Sequence, residues 1–203
     1  MIETKRGRPR SFDCDAAIEL SLQVFWERGY DATSVAELTA ALGIGPPSLY
    51  AAFGDKRTLF EEVVKTYQQT YGAFAARAMA EEPTAQQAVA RILREAAVEY
   101  TADGHPYGCL IISAAQNTSA ASSDVQESLR SIRRQNVEEV QQRIQEDIDA
   151  GVLPATTDAR ALAVFTGATL QGMSQQARDG ATRTDLQSIA EAALLAWPQP
   201  LAS

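Results

Sequence analysis

Apolar side chains recur every three or four residues along most of the chain, and the pattern is broken at glycine and proline. Residues 13–28 carry Ala17, Leu20 and Val24 on one helical row and Ile18, Leu22 and Phe25 on the next, a broad stripe ending at Gly29. Ser34-Val-Ala-Glu37 has the form of a capping box, in which the serine oxygen accepts from first-turn amides while the glutamate reaches back. The helix it opens runs to Leu42 and stops at Gly43. Pro46-Pro47 fits only a helix start, since neither residue donates an amide hydrogen bond, and a short helix to Phe53 follows. Asp55 then caps a long helix carrying Leu59, Val63, Tyr67, Tyr71 and Phe74 to about Glu81.

Pro83-Thr84 begins the next helix, with Gln87 completing a second capping box, and the pattern continues to about Thr101. A turn-rich break, Asp103–Gly108, precedes a short apolar helix over 109–116 and a polar connector over 117–123. Helices follow over about 124–150, 158–178 and 185–197, the last opened by a third capping box, Thr184-Asp-Leu-Gln187. Sustained period-2 runs are missing. The pattern therefore predicts an all-α chain of nine or ten helices.

Charge and composition narrow the function classes. The chain has 203 residues and a net charge of −8, unevenly placed. Residues 1–12 hold Lys5, Arg6, Arg8 and Arg10 against Glu3, whereas residues 61–203 carry a net −7. The basic run fits either a solvated tail or an arm that reaches phosphates and a minor groove. No apolar run approaches the ~20 residues of a membrane span. The N-terminus lacks the apolar segment of a signal peptide. Two cysteines, Cys14 and Cys109, make no disulfide framework and suit a reducing compartment. The expectation is a cytoplasmic protein without a membrane partner. One histidine and two cysteines supply no three- or four-ligand soft metal site, and no cofactor motif is present. His105 and Cys109 lack the orienting group and oxyanion hole of a nucleophilic site, so no catalytic residue is assigned and the chain does not read as an enzyme.

Residues 33–53 have the dimensions of a helix-turn-helix: a helix, a turn at Gly43-Ile-Gly45, and a second short helix, with Leu38, Leu42, Ile44, Leu49 and Phe53 as a small core. Spacing alone also allows an ordinary helical hairpin. Arg6-Gly-Arg-Pro-Arg10, Phe25-x₃-Gly29-Tyr-x₂-Thr33-Ser-Val, Leu42-Gly-Ile44 and Ser48-Leu-Tyr50-x₂-Phe53-x-Asp-Lys56-x₂-Leu59-Phe60 together resemble the DNA-binding domain of TetR/AcrR-type transcriptional regulators. The resemblance covers residues 6–65; beyond residue 80 only the helix pattern matches.

The resemblance implies a basic arm over 1–12 and a three-helix helix-turn-helix DNA-binding domain over 13–60. A long helix would join these to a helical ligand-binding and dimerisation domain over 61–203. It implies a one-component regulator, a homodimeric repressor of a palindromic operator, released by a small effector. Its two recognition helices would enter successive major grooves roughly 34–36 Å apart. Carried over by position, Thr33 and Ser34 would hold phosphate, Tyr50 would reach the backbone, and Lys56 would meet a further phosphate; such contacts set register and do not read sequence. Ser48 and Tyr50 remain as base-edge donors and Ala51 and Ala52 as apolar contacts to a thymine methyl, so specificity would lean on DNA shape and on the Arg6, Arg8 and Arg10 arm.

The last two helices are the expected dimer interface, through Leu162, Phe165, Leu170, Leu186, Ile189 and Leu194, although burial within one subunit fits the same pattern. Candidate pocket residues are Tyr67, Tyr71, Phe74, Tyr100, Tyr107, Cys109, Ile112, Phe165 and Met173, on stripes that fit plain core equally well. With no arginine cluster or glycine-rich phosphate loop, the expected effector is apolar or amphipathic. Cys109, at a helix start, would have a lowered thiol pKa through the helix dipole. This makes a redox- or electrophile-sensing regulator the alternative on the same scaffold. A helical interaction protein that never binds DNA is the more remote one.

Overall fold

The computed structural model describes residues 13–116 and 118–198. Ten α-helices and one 3₁₀ turn are present among them, and no strand. Helix α1 (Cys14–Arg28) starts at Asp13, whose carboxylate accepts the amides of Asp15 and Ala16, each at 3.1 Å. It buries Ala17, Leu22, Phe25 and Trp26, while Leu20 is 48% exposed. The stripe is thus one row narrower than the sequence pattern and turned toward the large aromatic residue at its end.

Helix α2 (Val35–Leu42) carries the expected capping box: Ser34 Oγ accepts the Glu37 amide at 3.2 Å and the Glu37 carboxylate accepts the Ser34 amide at 2.7 Å. Gly43 ends it at φ 65°, a left-handed conformation that costs glycine little. Helix α3 (Pro46–Phe53) begins on the two prolines and buries Leu49 and Phe53 against Leu38. Leu42 and Ile44 close the edge of this small core.

Asp55 caps α4 (Lys56–Gln69), its Oδ1 accepting the Thr58 amide at 2.7 Å. The single long helix expected to Glu81 is two helices. The chain turns at Thr70–Gly72, where the Gly72 amide donates to the Tyr67 carbonyl at 2.8 Å, and α5 (Ala73–Glu81) departs in a new direction. The turn brings Gly72 against the Tyr67 ring. Helix α6 (Ala85–Glu99) has half of its expected box: Thr84 Oγ1 accepts the Gln87 amide at 3.3 Å, but its hydroxyl, not its backbone, meets the glutamine oxygen at 2.9 Å.

Helix α7 (Leu110–Ser113) is shorter than the predicted apolar segment. Helix α8 (Ser123–Asp149) and helix α9 (Ala159–Arg178) pack along one another, and α10 (Arg183–Leu194) covers α6 and α9. The box at the head of α10 lies two residues upstream of the expected one. Thr182 and Asp185 exchange hydrogen bonds at 3.2 and 2.8 Å, because a carboxylate serves there as well as the Gln187 amide would. Short as it is, α7 touches α1, α4, α8 and α9, and so lies between the N-terminal helices and the rest.

Candidate nucleic-acid interface and effector cavity

Helix α3 alternates buried and exposed positions in a way that fixes one face. Leu49 and Phe53 anchor it, leaving Ser48, Tyr50, Ala51 and Ala52 in solvent, with Tyr50 48% exposed. An exposed tyrosine on a short, rigidly seated helix is free to present its hydroxyl outward.

The neighbouring positions differ from expectation in one case. Thr33 is fully buried and its hydroxyl donates to the Gly29 carbonyl at 2.7 Å, so it closes the α1–α2 turn and offers no phosphate contact. Ser34 is exposed, with its amide and hydroxyl both directed at Glu37. Lys56 is half-buried, its ammonium 4.1 Å from the Tyr30 ring centroid. Burial pulls the Lys56 pKa down, partly offset by Asp31 and Glu37. Arg6, Arg8 and Arg10 lie outside the described residues.

A cavity of about 340 Å³ opens between α4, α5, α6, α7, α8 and α9. Of the nine expected pocket residues, Tyr67, Phe74, Tyr100, Cys109 and Ile112 line it, together with Ile111. The other four lie elsewhere. Tyr71 donates to Glu19 at 2.6 Å, which pushes its phenol up to about 12, and it packs with Trp26 and His105. Tyr107 is 43% exposed, Phe165 faces outward from α9, and Met173 is buried in the core.

The wall missed in the sequence comes from α8, with Arg133 and Val140, and from α9, with Thr166 and Leu170. A signal for it exists. Leu129, Arg133, Val137, Val140 and Ile144 follow the apolar row of α8, and Arg133 interrupts that row with a charge.

Cys109 is buried beside the Tyr67 and Tyr100 hydroxyls. Burial pushes its thiol pKa up, and the nearby hydroxyls and amides offset this only in part. The expected lowering is outweighed because α7 is a single turn, whose dipole is small against full desolvation. His105 does not act on the thiol; it stacks on Trp26 at 4.6 Å and faces Glu99 at 3.4 Å.

Position 109 is held by its neighbours. Its amide donates to Ser174 Oγ at 2.9 Å. At Gly108, with φ 82°, a Cβ would stand 2.7 Å from the Ser174 carbonyl oxygen, so only glycine lets α7 seat on α9. At the other end of α7 the Ala114 carbonyl accepts the Tyr30 amide at 2.8 Å. Arg178 adds hydrogen bonds to the Trp26 and Glu27 carbonyls at 3.3 and 3.2 Å, and Arg57 pairs with Asp124. The cavity wall and the helix-turn-helix therefore share a hydrogen-bonded frame.

The last helices place the expected dimer residues in two groups. Leu186 is fully buried against its own core and Leu162, Leu170, Ile189 and Leu194 pack against that core, because α10 covers α6 and α9 while α9 runs along α8. Phe165 alone of the set is an exposed large residue, at 40%, and Val164 and Leu195 join it on the surface.

The described residues hold no group of histidine, cysteine or acidic side chains fit for a metal ion and no helix long and apolar enough to cross a membrane. The fold and the α3 face define an all-helical, helix-turn-helix regulatory protein.

Two family models divide the chain. Residues 17–63 match that of the bacterial regulatory proteins of the tetR family, and residues 87–193 match the tetracyclin repressor-like C-terminal domain. The HTH-type transcriptional repressor ComR of Escherichia coli (strain K12) is 35% identical over 199 residues, 98% of this chain and 95% of its own length. The repressor BdcR of the same strain is 41% identical over 106 residues, 52% of this chain and 54% of its own. A cysteine mutant of the TetR-family regulator CifR, solved with 26-bp double-strand operator DNA, is 40% identical with TM-score 0.89, covering 94% of this chain and 100% of its own. The chain belongs to the TetR family, whose members are transcriptional regulators and not enzymes.

Proposed function

We propose that this chain is a cytoplasmic, homodimeric transcriptional repressor that binds a palindromic operator and is released by a small effector held in the α4–α9 cavity. Residues 1–12 serve as a basic arm, 13–60 as the DNA-binding domain, and 61–203 as the effector-binding and dimerisation domain. The observation that carries the reading is the outward face of α3, Ser48, Tyr50 and Ala51, held in place by buried Leu49 and Phe53. Ser34, Lys56 and the Arg6, Arg8 and Arg10 arm supply phosphate and groove contacts around it. The complex of CifR with operator DNA supports the same use of this fold.

Dimerisation draws support from α9 and α10, which leave Val164, Phe165 and Leu195 in solvent with small residues Ala168 and Gly172 beside them. Two such pairs form a four-helix bundle. The mostly aliphatic and aromatic cavity favours a bound ligand over modification of Cys109, whose thiol is buried with a raised pKa.

Fluorescence anisotropy on the DNA flanking the gene tests the proposal. The wild-type chain is expected to bind it in preference to scrambled duplex, with an affinity that falls steeply with salt. An Ala51→Glu variant, which sets a carboxylate on the DNA face of α3, is expected to lose that binding with its helical content intact. Equal affinity for scrambled DNA, or full binding by A51E, would contradict the assignment.

A further inference from the structure

Arg133 is out of place for a surface arginine. It sits on the apolar row of α8, half-buried in the cavity wall. One of its N–H groups donates to the Ile111 carbonyl at 2.6 Å, and the remaining donors have no protein acceptor among the described residues. Among the described residues no carboxylate pairs with it, whereas its neighbours on α8, Arg130 and Arg134, both pair with Glu127. The charged group that acts on it most strongly is Arg130, a second cation. Glu139 at the cavity rim is exposed and accepts from the Gln135 amide at 3.0 Å. A partly desolvated guanidinium without a counter-charge is stabilised by an anion that completes it.

An independent feature points the same way. Tyr67 lines the cavity, and its buried hydroxyl has no oxygen or nitrogen partner, only the Cys109 thiol beside it. A buried hydroxyl with only a thiol sulfur, a weak acceptor, beside it gains from a stronger one. The rest of the wall near it, Phe74, Ile92, Ile112 and Val140, is apolar.

Resting on the effector-cavity reading above, we infer that the effector is a small amphipathic anion, a monocarboxylate whose charged end pairs with Arg133 and whose apolar body fills the cavity beside Tyr67. A planar carboxylate matches the two-pronged donor geometry of a guanidinium. The arrangement also supplies a route to DNA release. Arg133 now holds the Ile111 carbonyl, and the same short helix holds Tyr30 through the Ala114 carbonyl. A carboxylate that draws the guanidinium toward itself loosens one end of α7 and, with it, the seat of the helix-turn-helix.

Calorimetry and thermal shift on the full chain test this with two acid–amide pairs of equal shape, hexanoate with hexanamide and benzoate with benzamide. The acids are expected to bind about tenfold or more tightly than the amides, a gap of roughly 1.4 kcal/mol. Arg133→Gln is expected to erase the gap and Arg133→Lys to keep part of it. Amides that bind as well as the acids, an acid preference that survives R133Q, or no binding by either acid at millimolar concentration would overturn the anion assignment. An Ala163→Phe variant, which fills the cavity, separates this from failure of the cavity itself. Binding lost in A163F while the wild-type chain prefers the amides sinks the anion alone; binding undiminished in A163F sinks the cavity reading with it.

Discussion

Cys109 shows how burial overrides a local rule. Its place at a helix start reads as an activated thiol, yet the side chain is enclosed and its pKa is raised by desolvation. The thiol form therefore dominates at neutral pH and the thiolate grows only as pH rises into the alkaline range. Iodoacetamide labelling followed by peptide mass spectrometry is expected to mark the exposed Cys14 faster than Cys109 at neutral pH. Faster labelling of Cys109 would restore the redox-sensing alternative. The same enclosure explains which pocket residues were legible in the sequence. Tyr67, Phe74 and Tyr100 sit on strong apolar stripes and lie where the stripes point. Arg133 was not, because an arginine on a long polar helix reads as solvated until α9 is packed against it.

Helix boundaries were the most legible feature, since caps are set by a few adjacent residues. Ser34 with Glu37, Gly43, Pro46 and Asp55 all act where expected. The break at Thr70–Gly72 and the register of the last capping box depend on what the chain meets, Tyr67 in one case and a choice between two acceptors in the other. The α2 box makes a testable contribution. The Ser34 amide and hydroxyl hold the Glu37 carboxyl below its ordinary pKa, with Arg28 adding to the effect. A lowered folded-state pKa gives stability that is present above the unfolded pKa and lost as pH falls through the folded one. Glu37→Gln keeps a neutral acceptor and is expected to flatten this acid-side loss in melting curves taken from neutral down to about pH 3. Ser34→Ala is expected to cost about 1 kcal/mol in urea unfolding. An unchanged acid limb in E37Q would remove the box from the pH dependence.

In the proposed function α3 faces DNA and is linked to the cavity through α7, and repression at a palindromic operator would require two copies of the chain. A single α3 covers one half-site, and a palindromic operator needs a second recognition helix about one helical turn away. That requirement falls on the surface left by α9 and α10, where Phe165 is 40% and Leu195 86% exposed. The sequence pattern found these helices but assigned Leu186 to the interface. Periodicity marks apolar residues without telling which side of a helix meets its own subunit. The most direct measurement is the mass of the complex on operator DNA by light scattering, for the wild-type chain and for Phe165→Glu. Two chains per half-site pair in the wild type, with F165E a folded monomer that has lost most of its operator affinity, is the predicted result. A single chain per operator at full affinity, or an F165E variant that binds as the wild type does, would contradict the account.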